Sequence, residues 1–212
     1  MKVGHFDIEQ DAVEPFFKNG YLLSCHSTGR AVYIDPGDEA PRLLTRIQDR
    51  QLELMAVILT HAHLDHITGV GPVIKHRKVP IYLHEEDRFL YEALPEQGQW
   101  FGFSSHAAPP ATHWLEEGQT LTFDCLEIRV HHTPGHSPGS VSLEVENHLF
   151  CGDALFKGSI GRTDLPGGSQ TILIKSIHSQ ILPLGDKMIL HPGHGPESTV
   201  GEERIHNPFL KG

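Results

Sequence analysis

The stretch Thr60-His61-Ala62-His63-Leu64-Asp65-His66 decides how the rest of the chain is read. It sets three imidazoles and one carboxylate within positions 61–66, directly after the apolar run Ala56-Val57-Ile58-Leu59, which has the character of a buried strand. A helix presents side chains three or four positions apart on one face, and this cluster is denser, so a tight loop at a strand end is the expected carrier. Four metal-capable side chains then leave one strand together. The chain holds 17 His in 212 residues, so adjacent imidazoles alone would describe a His-rich surface loop, and distant partners have to decide.

Three other places match the motif in kind: Thr133-Pro134-Gly135-His136-Ser137-Pro138-Gly139, Cys151-Gly152-Asp153-Ala154 and His191-Pro192-Gly193-His194-Gly195. In each, an apolar strand-like segment ends in a glycine-bounded turn with His or Asp at its tip, and glycine permits the close approach that crowded ligands need. Four strand ends can therefore converge on one edge of a sandwich. The candidate metal ligands are His61, His63, Asp65, His66, His136, Asp153 and His194, with no Cys among them. Seven nitrogen and oxygen ligands exceed one tetrahedral ion and suit two divalent ions sharing a bridge. We divide them as His61, His63 and His136 on one ion and Asp65, His66 and His194 on the other, with Asp153 between. Zinc is the default for this shell, and iron or manganese is chemically reasonable.

The remaining histidines lack this context. His131, His132 and His191 lie near proposed ligands and are read as polar strand-edge residues, with a supporting role behind the ligands as the alternative. Cys25, Cys125 and Cys151 are odd in number and widely spaced in apolar runs, so they read as buried thiols rather than a disulfide framework.

Around these motifs the chain alternates. Segments 16–25 and 30–34 read as a strand pair turning at Ser27-Thr28-Gly29, and Asp35-Pro36-Gly37 is a sharp turn. Residues 41–51 carry Leu43, Leu44 and Ile47 at helical spacing before the strand that feeds the metal motif. A helix follows to Arg77, then a strand at 80–83, then a helix at 85–94 ended by Pro95. Residues 96–110, with Trp100, Phe101 and Phe103, read as a long aromatic loop, either a lid or a cover over the core. Short alternating runs at 119–123, 126–131, 141–145 and 148–151 form a β meander, followed by a helix at 171–182, a strand at 188–191 and a final short helix. The absence of a repeat or linker makes residues 1–212 a single α/β domain: two packed sheets with helices outside.

Composition excludes several classes. Net charge is −10 and no basic run occurs among the 17 Lys and Arg, so a nucleic-acid partner is not expected. No signal-peptide-like or membrane-spanning apolar stretch appears, so the expectation is a cytoplasmic protein without a membrane partner. The oligomeric state is not readable.

In order and separation, the Thr-His-x-His-x-Asp-His run, the Pro-Gly-His turn, the Gly-Asp turn and the final Gly-His resemble the metallo-β-lactamase superfamily over essentially the whole chain. Leu155-Phe156, Gly161-Arg162-Thr163-Asp164 and His191-Pro192-Gly193-His194-Gly195-Pro196 further resemble the compact hydroxyacylglutathione hydrolases, the type II glyoxalases. The resemblance implies an αββα sandwich of two mixed sheets with the metal site on its edge, and a small-molecule thioester substrate derived from glutathione. Full-length glyoxalase II enzymes add a C-terminal helical domain with basic residues for the glutathione moiety, whereas this chain ends about 18 residues after His194, so that half of the substrate site is expected to be missing. Where those enzymes carry a Lys and a Tyr after the Gly-Asp turn, this chain has Arg162 and Asp164. Arg162 is the candidate substrate-binding residue, able to clamp a carboxylate, with an ion pair to Asp164 as the competing role.

The expected chemistry is hydrolysis by a metal-bridging hydroxide, with Asp65 as the catalytic residue that orients the nucleophile and takes its proton. The Gly-Arg-Thr-Asp run also occurs in persulfide dioxygenases, which use a single iron held by two His and one Asp, and this is the competing activity. A lactonase or other ester hydrolase of the superfamily is the third.

Overall fold

The structure, a computed structural model, describes residues 1–211. Two mixed sheets stack face to face. The first runs in chain order: β1 (Lys2–Val3), β2 (Phe6–Asp11), β3 (Gly20–Cys25), β4 (Arg30–Ile34), β5 (Glu53–Ile58), β6 (Ile81–His84) and β7 (His113–Leu115). β1 to β4 are antiparallel, and β4 to β7 are parallel. The second contains β8 (Thr120–Phe123), β9 (Leu126–His132), β10 (Val141–Val145) and β11 (His148–Gly152), a meander whose last strand pairs in parallel with β14 (Ile189–Pro192), itself edged by β15 (Ser198–Thr199). A small hairpin, β12 (Leu155–Phe156) and β13 (Ser159–Ile160), stands apart.

Strand alternation builds three apolar layers. Tyr21, Leu23, Val32, Ile34 and Ile58 face inward and pack between the sheets against Ile128, Val130, Leu143 and Phe150. Their neighbours Leu22, Tyr33, Val57 and Leu59 face outward, under α1 (Ala40–Asp49), α3 (Val70–His76), α4 (Arg88–Glu92) and α5 (Leu94–Trp100). α1 buries Ala40, Leu43 and Ile47 there and turns Arg42, Arg46 and, just past its end, Arg50 toward Asp7, Glu9 and Asp11 of β2. On the far side α6 (Gln170–Ser176) and α7 (Val200–His206) cover Leu149, Cys151 and Leu190. The order helix, sheet, sheet, helix is the αββα sandwich expected.

Three local expectations change. Pro95 does not end a helix but opens α5, because a proline in the first turn gives up an N–H that has no helical partner there. The aromatic loop is correspondingly shorter: Trp100 ends α5 and stays exposed, and Phe103 packs on Phe16 at 5.3 Å between ring centroids. Cys25 and Cys125 are not free thiols but a disulfide. The end of β3 and the β8–β9 turn meet across the two sheets with their Cα atoms 5.9 Å apart, within bridging range, although 100 residues separate them in sequence. Cys151 is the remaining thiol among the described residues, and burial pushes it up to about 12, so a packing role stands.

Candidate metal centre

The parallel pairings bring the motif-bearing strand ends to one edge. β5 runs into Thr60, and the Thr60 carbonyl accepts the Val141 N–H at the start of β10, tying the sheets together where the ligands emerge. The register of β11 on β14 sets Gly152 beside Pro192, and the Gly193 N–H bonds to the Gly152 carbonyl at 2.8 Å. Asp153 and His194 are thereby neighbours. A Cβ at Gly193 would stand 2.1 Å from Asp153 Oδ1, so only glycine lets this turn close over the carboxylate. The metal motif itself is part loop and part helix: His61 and His63 sit on the loop, and Asp65 and His66 on the single turn α2 (Leu64–Ile67). The helical turn swings Asp65 and His66 toward the His194 loop.

All seven sequence-predicted ligands converge. His63 Nδ1 lies 2.7 Å from His136 Nε2, which lies 3.2 Å from His61 Nε2. Asp65 Oδ2 lies 3.0 Å from His194 Nε2 and 3.8 Å from His66 Nε2. Asp153 spans the two groups, with Oδ1 3.3 Å from His66 Nε2 and Oδ2 3.6 Å from both His136 and His194. Tetrahedral ligands about 2.0–2.1 Å from a zinc ion stand roughly 3.3 Å from one another, and these separations bracket that value.

The electrostatics of the site favour a cation. Burial pushes the His61 imidazole well down and His63 down to about 3, with neighbouring imidazoles adding to it, so both rings present neutral lone pairs. Burial works to raise Asp65 and Asp153, but His66 and His194, joined at Asp153 by His136, together outweigh it and hold both carboxyls below their ordinary range. Burial likewise opposes protonation of His66, yet Asp65, Asp153 and Asp35 together raise it to about 10. A proton held among three carboxylates marks a place that favours a cation. His66 Nε2 and Asp153 Oδ1 face each other there, buried and without hydrogen-bond partners. The donor set fits two divalent ions.

Four residues that the sequence reading passed over hold these ligands. Asp35, at positive φ where β4 ends, accepts from Thr60 N at 2.7 Å and Thr60 Oγ1 at 2.6 Å, and pairs with His66 Nδ1 at 2.9 Å. Asp87 accepts from Ala62 N, Ser137 Oγ and Gly139 N, joining the two loops that present His61, His63 and His136. Gln97 of α5 accepts from Leu64 N and donates to the Ala62 and Leu90 carbonyls. Asn19 brackets the His194 turn, donating to the Pro192 and Gly195 carbonyls. The one local signal was a carboxylate following the apolar strand that ends at Ile34; the others are polar residues in unremarkable contexts.

His131, His132 and His191 lie on the interior strands β9 and β14 rather than at an edge, His191 fully buried, and they pair with Glu144, the Pro138 carbonyl, and His148 with Glu197. Arg162 lines the cleft over the centre, but its guanidinium donates twice to Asp164, Nε to Oδ1 and Nη2 to Oδ2, each at 2.8 Å. Its backbone carbonyl contacts His136 Nδ1 at 2.7 Å. The cleft is about 240 Å³, and its apolar wall is Phe16, Leu64, Phe101 and Leu165.

A two-sheet sandwich with a His- and Asp-rich centre at its edge is the architecture of a metallo-hydrolase superfamily. The chain belongs to the metallo-beta-lactamase superfamily, whose family model matches residues 13–196. It is 44% identical to the hydroxyacylglutathione hydrolase GloC of Haemophilus influenzae over 96% of this chain and 98% of that one. Among solved structures it resembles the BLEG-1 B3 metallo-beta-lactamase, with a TM-score of 0.90 and 44% identity over 97% of this chain and 100% of the other. It also resembles TTHA1623, solved in a di-iron-bound form, with a TM-score of 0.87 and 39% identity over 95% and 100% of the two chains. No described helix is long and apolar enough to cross a membrane.

Proposed function

We propose that this chain is a binuclear metallo-hydrolase that cleaves thioesters of the hydroxyacylglutathione type. The observation that carries the reading is Asp153, whose carboxylate lies between the two three-residue groups, 3.6 Å from His136 of one and 3.3 Å from His66 and 3.6 Å from His194 of the other. His61, His63 and His136 would hold one ion, Asp65, His66 and His194 the other, and Asp153 would bridge them. Zinc is the first choice, and the di-iron form of TTHA1623 supports iron in a similar shell. Two such ions, when bound, supply Lewis acidity toward a carbonyl oxygen and a water that ionises near neutral pH.

The residues of the chain do the rest. Asp65 is ionised and lines the cleft, which places it to accept the proton of the attacking nucleophile. Phe16, Leu64, Phe101 and Leu165 shield that proton transfer from bulk water. Apart from the ligands, the described lining residues are these four with Gln97 and Arg162, so no general acid stands ready for a leaving group. A thiol of pKa about 8.5 departs as thiolate without one, whereas an amine does not, and this favours thioesters over amides. The name of the Haemophilus influenzae relative supports the same substrate class.

The test is turnover of S-lactoylglutathione together with metal content in protein purified without added metal. Two metal ions per chain and release of free thiol are expected. One iron per chain, oxygen consumption with glutathione persulfide and no thioester cleavage would instead establish a dioxygenase and overturn the proposal.

A further inference from the structure

We propose that the buried Lys18–Glu39 ion pair positions the site of the second ion, holding Asp35 and the His194 turn at the spacing that lets Asp65, His66 and His194 close on one metal. The inference rests on the binuclear reading above and adds two positioning residues that are not themselves ligands.

Lys18 is the one buried Lys or Arg among the described residues, 2% exposed, and Glu39 is 1% exposed. The Lys18 ammonium donates to Glu39 Oε1 at 2.9 Å and also to the Asp35 carbonyl. Glu39 Oε1 accepts in addition from the Tyr33 hydroxyl at 3.0 Å and from the Gly37 N–H at 2.9 Å, so three donors fix the carboxylate. Two glycines clear the space. A Cβ at Gly20 would stand 2.0 Å from Glu39 Oε1, and one at Gly37 would stand 2.7 Å from Lys18 Cε. Taking both charges out of water costs about as much as their attraction gives, and apolar replacements of such pairs are often no less stable. Stability is therefore a weak reason for the pair, and its contacts supply a better one.

Those contacts reach all three ligands of the second group. Asp35 sits at φ 51°, a conformation that a residue other than glycine holds only when its surroundings fix it. Its N–H donates to the Ile58 carbonyl at 3.1 Å and its own carbonyl accepts from Lys18, so the backbone is clamped on both sides while the carboxylate aims His66. The backbone of Lys18 bridges that of His194, and the Asn19 N–H donates to the Gly193 carbonyl at 2.7 Å. The Asp65 carbonyl lies against Gly37, where a Cβ would come within 2.1 Å of it. The first group depends on this frame less. His61 meets it through Thr60, whereas the loops that carry His63 and His136 are tied by Asp87 and Gln97. Loss of the ammonium therefore falls on the second ion first.

The experiment is zinc titration against a chromophoric chelator, resolved into two stepwise dissociation constants, in parallel with urea denaturation. The step that His194→Ala removes belongs to the second site, and the step that His63→Ala removes belongs to the first. Lys18→Met keeps most of the side-chain length and drops the charge. It is expected to weaken the second step by about 10- to 100-fold, the range found when a ligand loses its supporting partner, and to leave the first nearly unchanged. Lys18→Met/Glu39→Gln removes both charges together, so its urea midpoint should return toward wild type. Its second step should stay weak, because the donor to the Asp35 carbonyl is still missing. The double variant also gives the answer if Lys18→Met does not fold. A second step that recovers along with the midpoint, or that never weakens, would overturn the proposal and leave a pair that acts on stability alone. One zinc ion per wild-type chain would instead remove the binuclear reading, and the constant for that ion in the double variant would then decide the positioning role, weakened in its favour and unchanged against it.

Discussion

Asp35 Oδ2 lies 2.9 Å from His66 Nδ1, and the same carboxylate holds Thr60 by both its backbone N–H and its hydroxyl. A residue that would not touch a metal thus aims a ring that would, by fixing which nitrogen of His66 faces Asp153. Asp35→Ala is expected to lower metal affinity by about 10- to 100-fold, the range seen when such outer partners of a ligand are removed. Chelator competition on the folded variant measures it. Unchanged affinity would show that the His66 ring is held by other contacts.

Asp87 predicts a loss of stability. Its carboxyl is raised by burial and brought back toward its ordinary value by hydrogen bonds from Ser137, Gly139 and Ala62. Asp87→Ala removes the acceptor from buried donors on two ligand loops, and each unsatisfied group costs about 1–3 kcal/mol. A total loss of about 3 kcal/mol or more should appear in urea denaturation. Asp87→Asn, which keeps one oxygen, should lose less. Equal midpoints for wild type and alanine variant would contradict the assigned network.

The disulfide clasps the two sheets at the β3 end and the β8–β9 turn. Closing a loop of 100 residues restricts the unfolded chain, a contribution of about 4.7 kcal/mol on the chain-entropy estimate. Thermal unfolding with and without reductant should therefore differ by several degrees in Tm, and Cys25→Ser should abolish the difference. A Tm that does not respond to reductant would deny the bond a stabilising role.

His148 predicts an acid-sensitive window away from the metal ligands. Burial, helped by the neighbouring His191, lowers it from about 6.5 to about 4. Between those values the unfolded chain takes up a proton that the folded chain does not, so stability falls as pH drops from about 6.5 to about 4. Above pH 6.5 the group contributes no slope. Melting temperature against pH in the wild type and in His148→Gln tests this; a profile of identical shape in both would assign the slope to other groups.

The 44% identity to a named hydroxyacylglutathione hydrolase agrees with the family resemblance that the motifs carried, while the cleft makes the thiol a separate question. Arg162 shows why. As a residue type it reads as a carboxylate clamp, and only the position of Asp164 against its fork reveals that one edge of the clamp, Nε and Nη2, is already engaged.

The sequence by itself determined the αββα layering and brought out all seven converging ligands, because both are encoded locally. Strand alternation and helical spacing repeat over a few residues, and His61, His136, Asp153 and His194 each sit at a glycine- or strand-bounded turn that announces a strand end. The tertiary structure alone decided what supports and limits that centre. Asp35, Asp87, Gln97 and Asn19 act on partners 25 to 176 positions away in most of their contacts, and Cys25 meets Cys125 across 100. Apart from Asp35, which follows an apolar strand, nothing in the immediate neighbourhood of such residues distinguishes them from ordinary polar surface or buried thiols. Hydrogen bonds and disulfides need atoms within a few ångströms of each other, and that proximity exists only once the sheets have paired in register and stacked.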